Sequence, residues 1–305
     1  MKTRASESPP AVPGSELLPA GAIAFSALLW GLWWLPLRGI TAAGLDMLQL
    51  NAALYLSALP VLLPWAWRRR RSLRAGGWAL LAAGLLYGLA MIAWNLALVL
   101  GEVVRVTLLF YLNPAWGTLF GLLLLGQRMS WLRPLTILLG LFGAAILLGL
   151  GAELPLPRSA GDWLGLASGL LFALALTLVR KRPEIEGRDQ TIAGFAAAAI
   201  LSLPAVALTG PLALPASDVL LYAAAAALLW LLPASFLILW GARFVEPGRV
   251  GLLLLIEVAS AAISATLIAG EPFGLREGMG CLFILGAGGL EAFGALRRQR
   301  PARAA

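Results

Sequence analysis

Ten runs of 18 or more predominantly apolar residues, separated by short polar or basic links, leave this chain few ways to fold. At 1.5 Å per residue, each run makes a helix long enough to cross a hydrocarbon core of about 30 Å, and a helix satisfies its own backbone there. Windows of about 19 residues place the spans at 18–37, 47–67, 77–100, 104–126, 134–151, 163–180, 191–209, 219–241, 250–269 and 278–296. Only Gly101, Glu102 and Arg105 part the third span from the fourth. The chain of 305 residues is 60% hydrophobic and 12% charged, against about 25% charged in an ordinary soluble domain. A soluble globular fold is excluded, and the expected class is an all-α integral membrane protein with ten transmembrane helices.

The formal charge of +8 reflects where the basic residues sit. With a cytoplasmic N-terminus, every Lys and Arg except Arg38, Arg105, Arg158 and Arg276 falls on the inner side, which is the bias that orients spans. Residues 1–17 and the basic stretch 297–305 are then cytoplasmic tails, which requires an even number of spans. The basicity is topological, so nucleic acid is not an expected partner. The apolar run after the polar start is followed by further spans, which argues against a cleaved signal peptide. Histidine is absent and Cys281 is the only cysteine. That excludes an intrachain disulfide, a Cys/His zinc cluster and a histidine base, and no metal or cofactor is expected. Gly286, Gly288 and Gly289 lack the strand-turn-helix setting of a nucleotide fingerprint, and no Walker motif provides ATP coupling.

The chain also repeats itself at an offset of 142 to 144 residues. Ser26, Leu28, Leu29, Leu32 and Arg38 fall on Ser168, Leu170, Leu171, Leu174 and Arg180, and Pro60 falls on Pro204. Glu102, Arg105, Val106, Leu108, Leu109, Ala115, Leu123 and Gly126 fall on Glu246, Arg249, Val250, Leu252, Leu253, Ala259, Leu267 and Gly270. The repeats are bounded at 18–151 and 163–296. Five spans per repeat is odd, so the second repeat enters the membrane from the opposite side. Inverted repeats of this kind build transporters, in which two similar halves exchange roles as inner and outer gate around a midplane site.

No Lys or Arg lies within a span interior, which disfavours strongly anionic substrates. Glu257, Ser260 and Ser264 form a polar stripe on the ninth span, and an intramembrane carboxylate is costly unless it faces protein or water. Glu257 is therefore a candidate for binding a substrate amine or carrying a proton, against the alternative of a neutral acid bonded to a neighbouring helix. Its counterpart is Asn113 on the fourth span, beside Thr107, Tyr111 and Thr118. Pro114 removes a donor and frees the Phe110 carbonyl, so a kink is expected there, for a site or for packing alone. Trp65, Trp67, Trp78, Trp131 and Trp163 stand near span ends as interfacial anchors. Trp30, Trp33, Trp34, Tyr87, Met91, Trp94, Trp116, Trp230 and Trp240 lie deeper, where they line a pocket for apolar or cationic groups or face lipid and core. The Gly161, Gly165, Gly169 run and the Gly117, Gly121 pair permit close helix packing.

The duplicated five-helix pattern, with Gly126-Gln127 and Gly270-Glu271 closing the fourth and ninth spans, resembles the EamA family of the drug/metabolite transporter superfamily. Tyr111-Leu112-Asn113-Pro114 and Gly126-Gln127-Arg128-Met129-Ser130-Trp131 are similar to the corresponding stretch of YddG-type aromatic amino acid exporters. The resemblance implies a central cavity lined by spans 1, 3 and 4 with 6, 8 and 9, working by alternating access. Gln127 stands where many repeats have Glu, and Val258 where Pro commonly follows the acid.

The resulting expectation is a monomeric carrier of the bacterial inner membrane, not an enzyme, which exports aromatic or neutral amino acids or similar small metabolites. Tyr87, Trp94, Tyr111, Asn113, Trp116, Trp230, Glu257 and Ser260 are the expected substrate-binding residues, with Glu257 also the candidate coupling group. A multidrug or quaternary amine exporter is the alternative. An intramembrane enzyme would need a Ser with His, paired acids or an Asp-rich diphosphate site, none of which is present.

Overall fold

A computed structural model describes residues 17–42, 47–101, 103–127, 132–147, 149, 156–208, 217–270 and 273–298, and every regular element among them is helical. The first half comprises α1 (Leu17–Gly31), α2 (Trp34–Ala42), α3 (Met47–Arg68), α4 (Arg70–Leu100), α5 (Val103–Phe110), α6 (Asn113–Leu125) and α7 (Leu132–Leu147). The second comprises α8 (Ala160–Lys181), α9 (Gly187–Leu208), α10 (Ser217–Ala226), a π-helical turn (Ala227–Leu231), α11 (Leu232–Gly241), α12 (Pro247–Leu254), α13 (Ile256–Ala269) and α14 (Leu275–Arg298). Six stretches are long and apolar enough to cross a membrane: Leu17–Pro36, Arg70–Ala97, Val106–Leu125, Ala160–Lys181, Asp218–Gly241 and Pro247–Ile268. The shorter α7 is also apolar. Large side chains such as Leu123, Leu229, Leu267 and Leu282 are exposed around the outside, a surface that lipid covers. Trp67, Trp78 and Trp163 are exposed as well, whereas Trp65 is half-buried and Trp131 lies outside the described residues.

Four of the apolar runs are broken helices. Pro36, Pro114 and Pro233 each remove the donor that the carbonyl four residues earlier would have used. The run containing Pro36 breaks at Leu32–Trp33, the one containing Pro114 at Tyr111–Leu112, and the one containing Pro233 takes the wider π turn just before it. The fourth break, at Leu255, has no proline, yet it occupies the position of Tyr111 one repeat later. Gly126 and Gly270 also correspond. They end α6 and α13 in the left-handed conformation, with φ of 62° and 70°, and donate to Gly121 and Ala265, which are themselves repeat equivalents.

Packing follows the same exchange. Helix α4 packs on α8, and its counterpart α11 packs on α1; α5 and α6 pack on α8 as α12 and α13 pack on α1. Of the remaining large contacts, α7 with α14 and α3 with α9 join counterparts to each other, α6 meets α12 across the two counterpart broken spans, and α9 also packs on α4. Two buried hydrogen bonds repeat this relation: Ser26 Oγ donates to the Ala234 carbonyl and Ser168 Oγ to the Ala90 carbonyl, both at 2.7 Å. Each of two arms therefore mixes both halves, with α4, α5, α6 and α8 in one and α1, α10 to α13 in the other.

Candidate functional site

The breaks bring backbone and side chains to a small cavity between the two arms, of about 40 Å³. Met91, Trp94, Phe110 and Phe172 line it from one arm; Trp30, Ile238, Leu254 and Glu257 line it from the other. Three of these pairs are repeat equivalents: Trp30 with Phe172, Trp94 with Ile238, and Phe110 with Leu254. The cavity thus straddles the relation that exchanges the halves. Trp94 and Phe110 have ring centroids 4.6 Å apart, and Phe110 and Phe172 5.8 Å apart, forming one continuous aromatic wall.

Glu257 is the only charged residue in the lining. It sits in the first turn of α13, where the amide ends of the helix favour a negative charge, and the Tyr111 hydroxyl hydrogen-bonds its carboxyl group across the arms. Opposite in chemistry is Trp30: its indole Nε1–H is buried without an acceptor among the described residues. A buried donor left without a partner costs roughly 1–3 kcal/mol, so a ligand atom that accepts from it recovers that loss. Asn113, the counterpart of Glu257, is likewise buried with neither amide atom bonded, and packs where a side chain on Gly251 would lie 2.5 Å from its Oδ1.

Of the residues expected from the sequence, Trp94 and Glu257 line the cavity and Tyr111 stands behind Glu257. Tyr87 is buried one layer away, donating to Ser235 Oγ at 3.0 Å or accepting from it. Trp230 and Ser260 instead close the break in α1. Trp230 Nε1 donates to the Leu29 carbonyl at 2.8 Å, and Ser260 Oγ to the Leu28 carbonyl at 3.2 Å. Both carbonyls lie in the turn before Leu32–Trp33, where they share the single N–H of Leu32 at 3.2 Å each. Trp116 is half-buried, with its Nε1 shielded and without a partner among the described residues, and is not part of the lining. Trp34 donates to Ser264 Oγ at 3.0 Å, which ties the polar stripe of α13 to α2. Phe172, Ile238 and Leu254 were not singled out in the sequence; repeat pairing with Trp30, Trp94 and Phe110 is the signal that finds them. Two buried arginines, Arg133 and Arg249, lie at helix ends outside the lining, and Arg133 pairs with Glu246 at 2.5 Å.

Among the described residues no cluster of acidic, His or Cys side chains can hold a metal ion. The profile of the EamA-like transporter family matches residues 18–149 and again 159–289. No curated protein matches the chain. Solved structures do: 29 chains match, and one described only as "Crystal structure of protein" superposes with a TM-score of 0.72 at 21% identity, over 92% of this chain and 98% of the other. That likeness is one of fold.

Proposed function

We propose that this chain, which belongs to the EamA-like transporter family and is a multi-pass membrane transporter of the drug/metabolite type, exports small zwitterionic metabolites with an apolar or aromatic side chain, neutral and aromatic amino acids foremost. The observation that carries this reading is the pairing, in one aromatic-walled cavity, of a single carboxylate with an indole donor that has no acceptor among the described residues. Glu257, with Tyr111 behind it, meets the substrate ammonium, Trp30 Nε1–H meets the carboxylate, and Trp94, Phe110 and Phe172 hold the side chain. The ten spans form two inverted repeats with both termini in the cytoplasm of a bacterial inner membrane, and the arms alternate access to the cavity. Basic links on one side and the exchange of contacts between halves support that topology.

The rival reading, a quaternary amine or cationic drug exporter, is favoured by the same aromatic wall beside a lone acid. Trp30 separates the two, because a quaternary ammonium offers nothing for its N–H to donate to. Proteoliposomes loaded with labelled phenylalanine or with a labelled quaternary amine test this. Wild-type protein is expected to give saturable phenylalanine flux. The Trp30→Phe variant, which keeps the wall and loses the donor, is expected to raise KM for phenylalanine about tenfold, the equivalent of one 1.4 kcal/mol contact. No amino acid flux from folded protein, with saturable quaternary amine flux, overturns the zwitterion reading.

A further inference from the structure

Between α3 and α4 the chain makes an elbow that the transport site does not use. Helix α3 ends at Arg68, Arg69 leaves helical geometry at φ −98° and ψ 9°, and α4 starts at Arg70 but breaks again at Gly77. Gly77 has φ 53° and ψ −145°, a conformation open to glycine and strained for side-chain-bearing residues. The segment from Arg68 to Gly76 is therefore set off from the long apolar helix that begins at Trp78. Arg69 anchors it: Nε and an amino group grip Asp189 at 2.5 and 3.1 Å, and a second contact reaches Glu186 at 3.0 Å. Asp189 is buried, Ser72 also donates to it, and the hydrogen bonds that Arg69 donates to Asp189 hold the guanidinium above its ordinary pKa.

With Arg69 committed to α9, the other four arginines of the elbow, Arg68, Arg70, Arg71 and Arg74, are exposed. None makes an ion pair among the described residues, and no acidic residue occurs in the sequence from 47 to 101. Trp67 and Trp78 flank them, 71% and 78% exposed, and the Arg70 guanidinium lies over the Trp67 ring at 4.9 Å. Two exposed amphipathic rings, with four unneutralised guanidinium groups between them in sequence on a fixed turn, have the composition of a phosphate-binding surface at a membrane interface.

We propose that this elbow is a binding site for anionic phospholipid headgroups, held in shape by the Arg69–Asp189 pair. The proposal needs only that α4 crosses the membrane, and it stands apart from the identity of the transported substrate. Basic residues near a membrane surface each contribute about 1 kcal/mol of attraction to anionic lipid. Delipidated protein in neutral detergent, titrated with labelled phosphatidylglycerol, is expected to bind it more tightly than phosphatidylcholine. Replacing Arg68, Arg70, Arg71 and Arg74 together by Gln, with Arg69 kept, is expected to weaken phosphatidylglycerol binding by about tenfold or more. The thermal unfolding midpoint in detergent without phosphatidylglycerol serves as the folding check and is expected to stay at the wild-type value. A second variant, neutralising Arg297, Arg298, Arg300 and Arg303, removes the same charge elsewhere and is expected to bind as wild type. Equal binding of both lipids, an unaffected elbow variant, or the same loss in both variants overturns the proposal. Competition by soluble glycerol phosphate at concentrations matching the lipid also overturns it, since that outcome assigns the arginines to free phosphate.

Discussion

A carboxyl group inside an apolar cavity is costly to ionise, and Glu257 is held there by a helix N-terminus and by Tyr111. Those partners favour its charged form inside the cavity, where a proton and a substrate ammonium group can compete for it. Glu257→Gln keeps the shape and a hydrogen bond to Tyr111 while abolishing titration. If Glu257 is the coupling group, flux of labelled amino acid through the variant in proteoliposomes is expected to lose its response to an imposed pH gradient and to need about tenfold more substrate for half-saturation. Retained gradient dependence in the variant would assign coupling to another residue. Tyr87 is a useful contrast at the same scale, since its hydroxyl is already matched to Ser235 and its ring is walled in by Phe172 and Gly194.

At the scale of elements, small residues decide how closely the arms assemble. A methyl group on Gly169 would lie 2.5 Å from the Phe110 carbonyl oxygen, so α8 would have to back away from the end of α5. A methyl on Gly288 would meet nothing within 4 Å. Gly169→Ala is therefore expected to destabilise the protein by about 1–3 kcal/mol, and Gly288→Ala to be neutral or to gain up to about 1 kcal/mol of helix stability, both read as shifts in thermal unfolding in detergent. The Gly161, Gly165, Gly169 spacing announced this packing in the sequence, and Gly126 with Gly270 announced the two matching helix ends. Pro114 announced its break, as Pro36 and Pro233 would have by the same reasoning. The break at Leu255 was not legible, because no residue there removes a donor. Nor was the turning of Phe172 and Ile238 toward the cavity: lipid and protein interior select the same apolar side chains, so hydropathy does not say which face of a span looks inward. Glu257 stood out because a carboxylate is scarce in mid-span, and Trp94 as one of several large aromatic groups set away from the span ends. Trp230 and Ser260 stood out as well, yet their hydrogen bonds serve the broken end of α1.

The whole molecule is organised by arms that cut across its halves. Ser168–Ala90 ties α8 to α4 within one arm and Ser26–Ala234 ties α1 to α11 within the other, while the lining of the cavity is contributed four residues from each. The alternating access proposed for it requires motion between arms and rigidity within them. Two cysteine pairs of similar geometry separate these cases in a Cys281→Ser background, since Cys281 is the only native cysteine. A side chain on Gly248 would lie 3.1 Å from the Thr118 Cα, across the α6–α12 contact between arms. One on Gly165 would lie 3.2 Å from the Val106 Cα, across the α5–α8 contact inside one arm. Both approaches are tighter than the Cβ–Cβ spacing of about 3.8 Å in an unstrained disulfide, so each pair closes only after the two backbones move apart slightly. Oxidation of the Thr118→Cys, Gly248→Cys pair is expected to stop flux and reduction to restore it, whereas oxidation of the Val106→Cys, Gly165→Cys pair is expected to leave flux within about twofold. Full flux through protein quantitatively crosslinked between the arms would place the moving boundary elsewhere, between the sequence halves themselves.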